Sequence, residues 1–398
     1  MLALFPGFHF AMVLLVAGPW ILNHFTLASG ILCMASAVCV SKCMHTLAVV
    51  YHPVSGNNIA SADPAQRLAA AGQGRYATAL MGDAVWGSAT TLAILLGAVV
   101  LFQTWLQTDL IKQAIKLISS LSGLAILVWI IALLASSKNL LATIFVFGSS
   151  AALGVIALMH PAVEGSTHTM TPLLTGMFAF PVLLNTLFEK HSSYQRIEVE
   201  KQDELETDPG LKLIGFITGI LSVGLPGLGT SSLVSVSQGL TESDAEYLTM
   251  ASFAETTGEM MALILGILSI ASRSSDAAII QQALLKHTGE FAIHPTFMYL
   301  LLGTMLVSCW VGLKLVNVVS FPYRVMLNLI PVKLQALIVA SAMIGLVWHH
   351  TSMWGMGIVL AGTLIHLGAK QLYVSNQVLF ACMVIPMLMN MAQFNPFR

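Results

Sequence analysis

Apolar runs of about 20 residues, separated by short polar breaks, recur along the whole chain. They fall near residues 10–23, 27–50, 78–103, 118–136, 140–159, 171–188, 211–237, 246–271, 296–319, 325–348, 353–369 and 374–393. A bilayer core of about 30 Å takes about 20 helical residues, so the pattern predicts an all-α polytopic integral membrane protein with about 10–12 membrane segments. The sole long polar stretch, Glu189 to Asp208, bisects the chain and mixes both charge signs. It predicts a solvated connector over 191–209, with a first transmembrane repeat at 1–190 and a second at 210–398. Two amphipathic pieces are expected at the interface. One is Pro64–Ala71, with Asp63 as N-cap and Pro64 in the first helical position. The other is Thr108–Leu117, where Lys112 and Lys116 share a face.

Within the apolar pattern, two prolyl-glycyl breaks stand in corresponding places of the two halves: Pro6-Gly7-Phe8-His9 and Pro226-Gly227-Leu228-Gly229. Proline removes a donor and glycine admits unusual backbone, so each break frees polar groups that lipid does not tolerate. Paired broken helices point to a carrier whose cargo sits between them. If a half-helix begins at Thr230, Ser231 and Ser232, its free N–H groups and hydroxyls form a seat for an anion. His9, in the first break, offers a donor or a proton shuttle. The polar loop His52 to Asp63 adds Ser55, Gly56, Asn57 and Asn58, small donors suited to a carboxylate or phosphate. The substrate-binding candidates are therefore Pro6, Gly7, His9, Ser55, Gly56, Asn57, Asn58, Pro226, Gly227, Gly229, Thr230 and Ser231. Only five residues precede Pro6, against a longer lead from Pro209 to Pro226, which sets the expectation that a leading half-helix is missing.

Composition narrows the class. The chain has 398 residues, 57% hydrophobic and 9% charged. A soluble domain carries about 25% charged residues, so this chain cannot clothe a surface in water. A net charge of −1 leaves no basic footprint for nucleic acid. Lys and Arg are spread over most loops and set no orientation. The start lacks a basic region and a small-residue cleavage site, unlike a cleaved signal. All five cysteines lie in apolar segments. Cys39 and Cys43 are one turn apart, but His45 faces elsewhere and no second ligand pair follows, so they read as small buried hydrophobes, with no metal site and no disulfide framework.

The charges inside apolar runs carry the remaining chemistry. A charge at mid-bilayer costs about 2.5–3.5 kcal/mol even on the lenient insertion scale, so it faces a cavity or a partner. Asp83, Glu255, Thr256, Thr257 and Glu259 form the coupling-ion candidates, binding Na+ or carrying H+. Lys42 and Lys314 read as snorkelling to headgroups. No nucleophile elbow, P-loop or zinc-protease motif is present, so the chain does not read as an enzyme.

Taken in series, the residues resemble a known family. Leu4-Phe5-Pro6-Gly7-Phe8-His9, Pro53 through Asp63, Arg67, Gly72-Gln73-Gly74-Arg75 and Thr171 through Phe178 are followed by Gly224 through Gly229, Glu255-Thr256-Thr257, Ser272-Arg273-Ser274 and Met383-Val384-Ile385-Pro386. This order is similar to the large membrane subunit of tripartite tricarboxylate transporters, and particularly to its archaeal-type relatives of unassigned substrate. The resemblance covers nearly the whole chain. It implies two inverted repeats with broken or re-entrant helices, a substrate between the two breaks, and secondary active transport driven by Na+ or H+ in a prokaryotic inner membrane. Two departures count against citrate itself: His9 precedes Phe10, and no Asn-x-Pro-Gly run follows Pro53. They also weigh against a small membrane subunit and an extracytoplasmic binding protein as partners. The expected partners are the lipid bilayer and a small anionic substrate, with a homodimer as one form of assembly. A carrier of a lipid-linked phosphate is the alternative, favoured by the scarcity of basic residues. A membrane enzyme on lipid, with His9, Asp83 and Glu255 as acid–base groups, is the third.

Overall fold

The computed structural model describes residues 17–18, 20–51, 61–106, 113, 126–131, 133–135, 137, 139–159, 170–188, 208–224, 230, 233–234, 241–268 and 295–391. Among these every regular element is helical. The first half holds α1 (Leu27–Tyr51), α2 (Ala62–Ala70), α3 (Gly74–Leu106) and α4 (Leu140–Met159). Then α5 (Met170–Leu174) passes through a π-helical turn at Thr175–Ala179 into α6 (Phe180–Phe188). The second half holds α7 (Pro209–Gly224), α8 (Asp244–Ile267), α9 (Pro295–Leu329) and α10 (Val332–Gln371). A short 3-10 turn, Asn376–Phe380, leads into α11 (Ala381–Met391).

Six stretches of these helices are long and apolar enough to cross a membrane. Their outward faces are oily: Leu141 is 81% exposed and Phe145 70%. Such faces suit lipid, which leaves the interior for polar groups. The protein is an all-α polytopic membrane protein. Several span boundaries differ from the hydropathy pattern. The run 296–319 continues to Leu329 because Pro322 does not end α9, and the true stop precedes Pro331. The run 325–348 straddles the end of α9 and the start of α10, and 353–369 falls within α10, which at 40 residues is about 60 Å long. Ser352, at φ 53° and ψ −147°, breaks α10 into two stretches of spanning length. The run 246–271 corresponds to α8, which is not among the six apolar spans, since Glu255 and Glu259 lower its hydropathy.

The helices gather into two groups, each around its own core. α1, α2, α3, α7, α8 and α9 pack together, and α4, α5, α6, α10 and α11 form the other body. α8 lies inside the first group against α7, α3, α2 and α1, and nearly every residue from Tyr247 to Ile267 is buried. Contacts along the helices fix their directions. A Cβ on Gly215 would meet Met250, and one on Gly219 would meet Ala254 and Gly258, so α7 and α8 run parallel. Lys42 pairs with Glu259, whereas His45, Thr46 and Val49 share a cavity with Glu255 and Ser252, so α1 and α8 run antiparallel. Cys43 contacts Cys309 and Arg324 lies over the Tyr51 ring, so α1 and α9 are parallel.

Candidate functional site

The site is built from two polar stripes. On α1, Lys42, His45, Thr46 and Val49 share a face by their spacing of three and four. On α8, Ser252, Glu255, Thr256 and Glu259 repeat that spacing. All but Glu259 line one cavity, which Ser61 at the head of α2 and Met81 and Val85 of α3 complete. The cavity has room for roughly one water molecule.

Glu255 is the buried carboxylate of this cavity, 6% exposed. It accepts from the Ser61 hydroxyl at 2.6 Å and from the Ser61 N–H at 3.3 Å. One turn along, Glu259 Oε1 meets Lys42 Nζ at 2.8 Å. Half of the Glu259 side chain is exposed, against 15% for Lys42. Lys42, expected to snorkel to headgroups, thus has a carboxylate partner on α8. Two carboxylates and one ammonium leave a formal excess of one negative charge. Ser252 Oγ is buried and has no protein hydrogen-bond partner.

The other coupling-ion candidates divide. Thr256 lines the cavity. Thr257 turns to α3 instead, donating to Ser88 Oγ at 3.0 Å, while Ser88 donates to the Phe253 carbonyl at 3.3 Å. Asp83 sits two residues from both Met81 and Val85, roughly opposite them on α3. It pairs with Lys212 of α7 at 2.7 Å, and because Oδ2 makes no hydrogen bond of good angle, Coulomb attraction carries that contact. Lys314 lies 5.9 Å from the centre of the Trp310 ring.

Of the substrate-binding candidates, Pro6, Gly7, His9, Ser55, Gly56, Asn57, Asn58, Pro226, Gly227, Gly229 and Ser231 lie outside the described residues. Thr230 is placed: its hydroxyl donates to Ser222 Oγ at 3.1 Å, and a Cβ on Gly258 would meet Thr230 Oγ1 and Ser222 Oγ, each at 2.8 Å. The described ends of two predicted segments thus meet one helix. Ser61 closes the polar loop and binds Glu255, and Thr230 follows the second break and touches Gly258. The residues missed from sequence are Lys42, His45, Thr46, Ser61 and Ser252. The spacing of polar residues on otherwise apolar α1 is the signal that marks the first three.

Cys39 and Cys43 are buried as expected, with Cys309, where α1 meets α9, whereas Cys33 is exposed. Among the described residues, α2 begins at Ala62 rather than Pro64, and its buried Ala62, Ala65 and Leu68 face neighbouring helices.

The sequence pattern of the tripartite tricarboxylate transporter TctA family matches residues 1–380 of the chain. No curated protein and no solved structure matches it.

Proposed function

The chain belongs to the tripartite tricarboxylate transporter TctA family, and on that premise we propose that it is a secondary active permease for a small organic anion such as a di- or tricarboxylate. Transport is coupled to a cation and proceeds by alternating access in a prokaryotic inner membrane. The observation that supports this reading is a pair of contacts on one stretch of α8, made by described residues that flank the two predicted binding segments. Ser61, at the end of the loop with Ser55 to Asn58, holds Glu255, and Thr230, just past Pro226 to Gly229, rests on Gly258. On this reading, substrate and coupling ion would meet at neighbouring turns of a single helix, as coupling requires.

Two further observations support inverted repeats at 1–190 and 210–398 joined by 191–209. Moving Pro6 onto Pro226, a shift of 220 residues, carries α1 onto 247–271 and α3 onto 294–326. Those ranges overlap α8 and α9 closely. The antiparallel course of α1 and α8 is the direction that inversion demands. Membership of a tripartite family implies partner subunits, so the small membrane subunit and the binding protein become expected partners despite the departures near His9 and Pro53. The enzyme alternative loses support, because Asp83 faces Lys212 and does not line the cavity of Glu255.

Uptake of labelled succinate and citrate into proteoliposomes under a sodium or proton gradient tests the proposal. Accumulation that collapses with the gradient is expected, and no uptake of any organic acid under either gradient would overturn it. Gly227→Leu should abolish uptake while leaving the protein folded, because bulk fills the seat beside the second break. Normal turnover of that variant would show that Gly227 only packs.

A further inference from the structure

A carrier of this kind needs a cation that binds and leaves, and the cavity between α1 and α8 has the oxygens for one. Glu255, Ser61, Ser252, Thr46 and Thr256 all border it, and Ser252 Oγ, 2% exposed as a residue, has no protein partner. Its size admits one water or one bare sodium ion. The feature that decides between them is Lys42. Its side chain borders the same cavity, and its ammonium pairs with Glu259, one turn from Glu255, at 2.8 Å. A sodium ion would sit beside that fixed positive charge. Two unpaired like charges about 4 Å apart at an effective dielectric of about 20 would cost about a thousandfold in affinity, and the Glu259 partner offsets part of that repulsion. The oxygens are those of a sodium site, but a lysine already brings a positive charge to its border.

We propose that the coupling ion is a proton carried by Glu255 and that Lys42 acts as a built-in cation excluding sodium from the cavity. This deepens the carrier reading and rests on it. The charges balance: Glu259 neutralises Lys42, and one proton on Glu255 removes the remaining negative charge. The proton comes from water on one side, forms an O–H bond to the carboxylate, and returns to water on the other. Glu255 keeps its partner in both forms, because the Ser61 hydroxyl at 2.6 Å donates to the carboxylate and accepts from the acid. Ser252 Oγ offers a water in the cavity a hydrogen bond beside Glu255.

Other titratable groups also face α8. On α1, His45 borders the cavity. On α3 and α7, Asp83 and Lys212 hold each other, and on α2 Arg67 binds Asp244 at the start of α8.

Binding of ²²Na+ to the detergent-purified full chain tests the proposal independently of any substrate. Wild-type protein should show no saturable binding. Lys42→Met should gain it, with affinity raised at least about a hundredfold, and Lys42→Arg should not. Adding Glu255→Gln to Lys42→Met should remove the gained binding, which locates the ion. Saturable ²²Na+ binding by the wild type, or none by a monodisperse Lys42→Met protein, overturns the proposal. If Lys42→Met fails to fold, uptake by the wild type decides: drive by a sodium gradient alone overturns the proton assignment and leaves the carrier reading intact. Absence of any organic-acid uptake, by contrast, overturns the carrier reading itself.

Discussion

A helix start leaves N–H groups without partners, and Ser61 stands where a hydroxyl usually satisfies one of them. No such cap forms, because the Ser61 hydroxyl reaches Glu255 instead. At α8 the ordinary arrangement holds: Ser243 accepts from the Glu246 N–H at 3.2 Å, and the Glu246 carboxylate accepts from the Glu242 N–H at 2.7 Å. The two serines therefore predict different losses. Ser243→Ala removes a cap and should cost about 1 kcal/mol. Ser61→Ala removes a hydrogen bond to a buried carboxylate and should cost about 1.5–3 kcal/mol. Melting in detergent, read for both variants side by side, checks the ranking; an equal or reversed order would show that Ser61 does not hold Glu255. The sequence marks Ser61 only as the end of a polar loop. Its partner lies 194 residues away, and no local pattern carries that distance.

Elements meet here through small residues. Gly215 and Gly219 let α7 approach α8 so closely that a Cβ on Gly219 would lie 2.6 Å from the Ala254 carbonyl oxygen. Lipid gives helices no hydrophobic reason to associate, so such close backbone packing supplies the attraction. Gly219→Val should therefore overpack the contact by about 1–3 kcal/mol and displace α8 and the Glu255 site with it. A lowered melting temperature together with impaired uptake is the expected result, and unchanged values in both would place α7 farther from α8. In the second body a comparable approach occurs where a Cβ on Gly176 would lie 2.6 Å from Val359 backbone atoms. The π-helical turn there presents the Gly176 and Met177 carbonyls to α10. Thr363 donates to the first at 3.3 Å, and His366 Nδ1 lies 2.7 Å from the second. A carbonyl only accepts, so Nδ1 carries the proton. His366→Leu leaves that buried carbonyl unpaired and should cost about 1–3 kcal/mol, again visible as a lowered melting temperature. An unchanged value would argue that the carbonyl finds another partner.

At the scale of the molecule, inversion of the two halves predicts that α1 and α8 start on opposite sides of the membrane. Cysteines placed at Thr26 and Ser243, in a background without native cysteines, should react with an impermeant thiol reagent from opposite faces of oriented vesicles. Labelling of both from one face would sink the inverted arrangement. Hydropathy alone determined that the chain is helical and spans a membrane, because lipid leaves backbone groups no partners but each other. It placed α1 and α4 almost to the residue, 27–50 against Leu27–Tyr51 and 140–159 against Leu140–Met159. It erred near Pro322 and Ser352, since neighbouring helices and water satisfy backbone groups that a proline or a kink frees. It found the intramembrane acids, because a charge in an apolar run has few innocent explanations. Only the tertiary structure decided what each acid does. Asp83 went to Lys212, Glu259 to Lys42 and Glu255 to Ser61. Such pairings join separate helices, and Coulomb attraction and hydrogen bonding act across space, without regard to order along the chain.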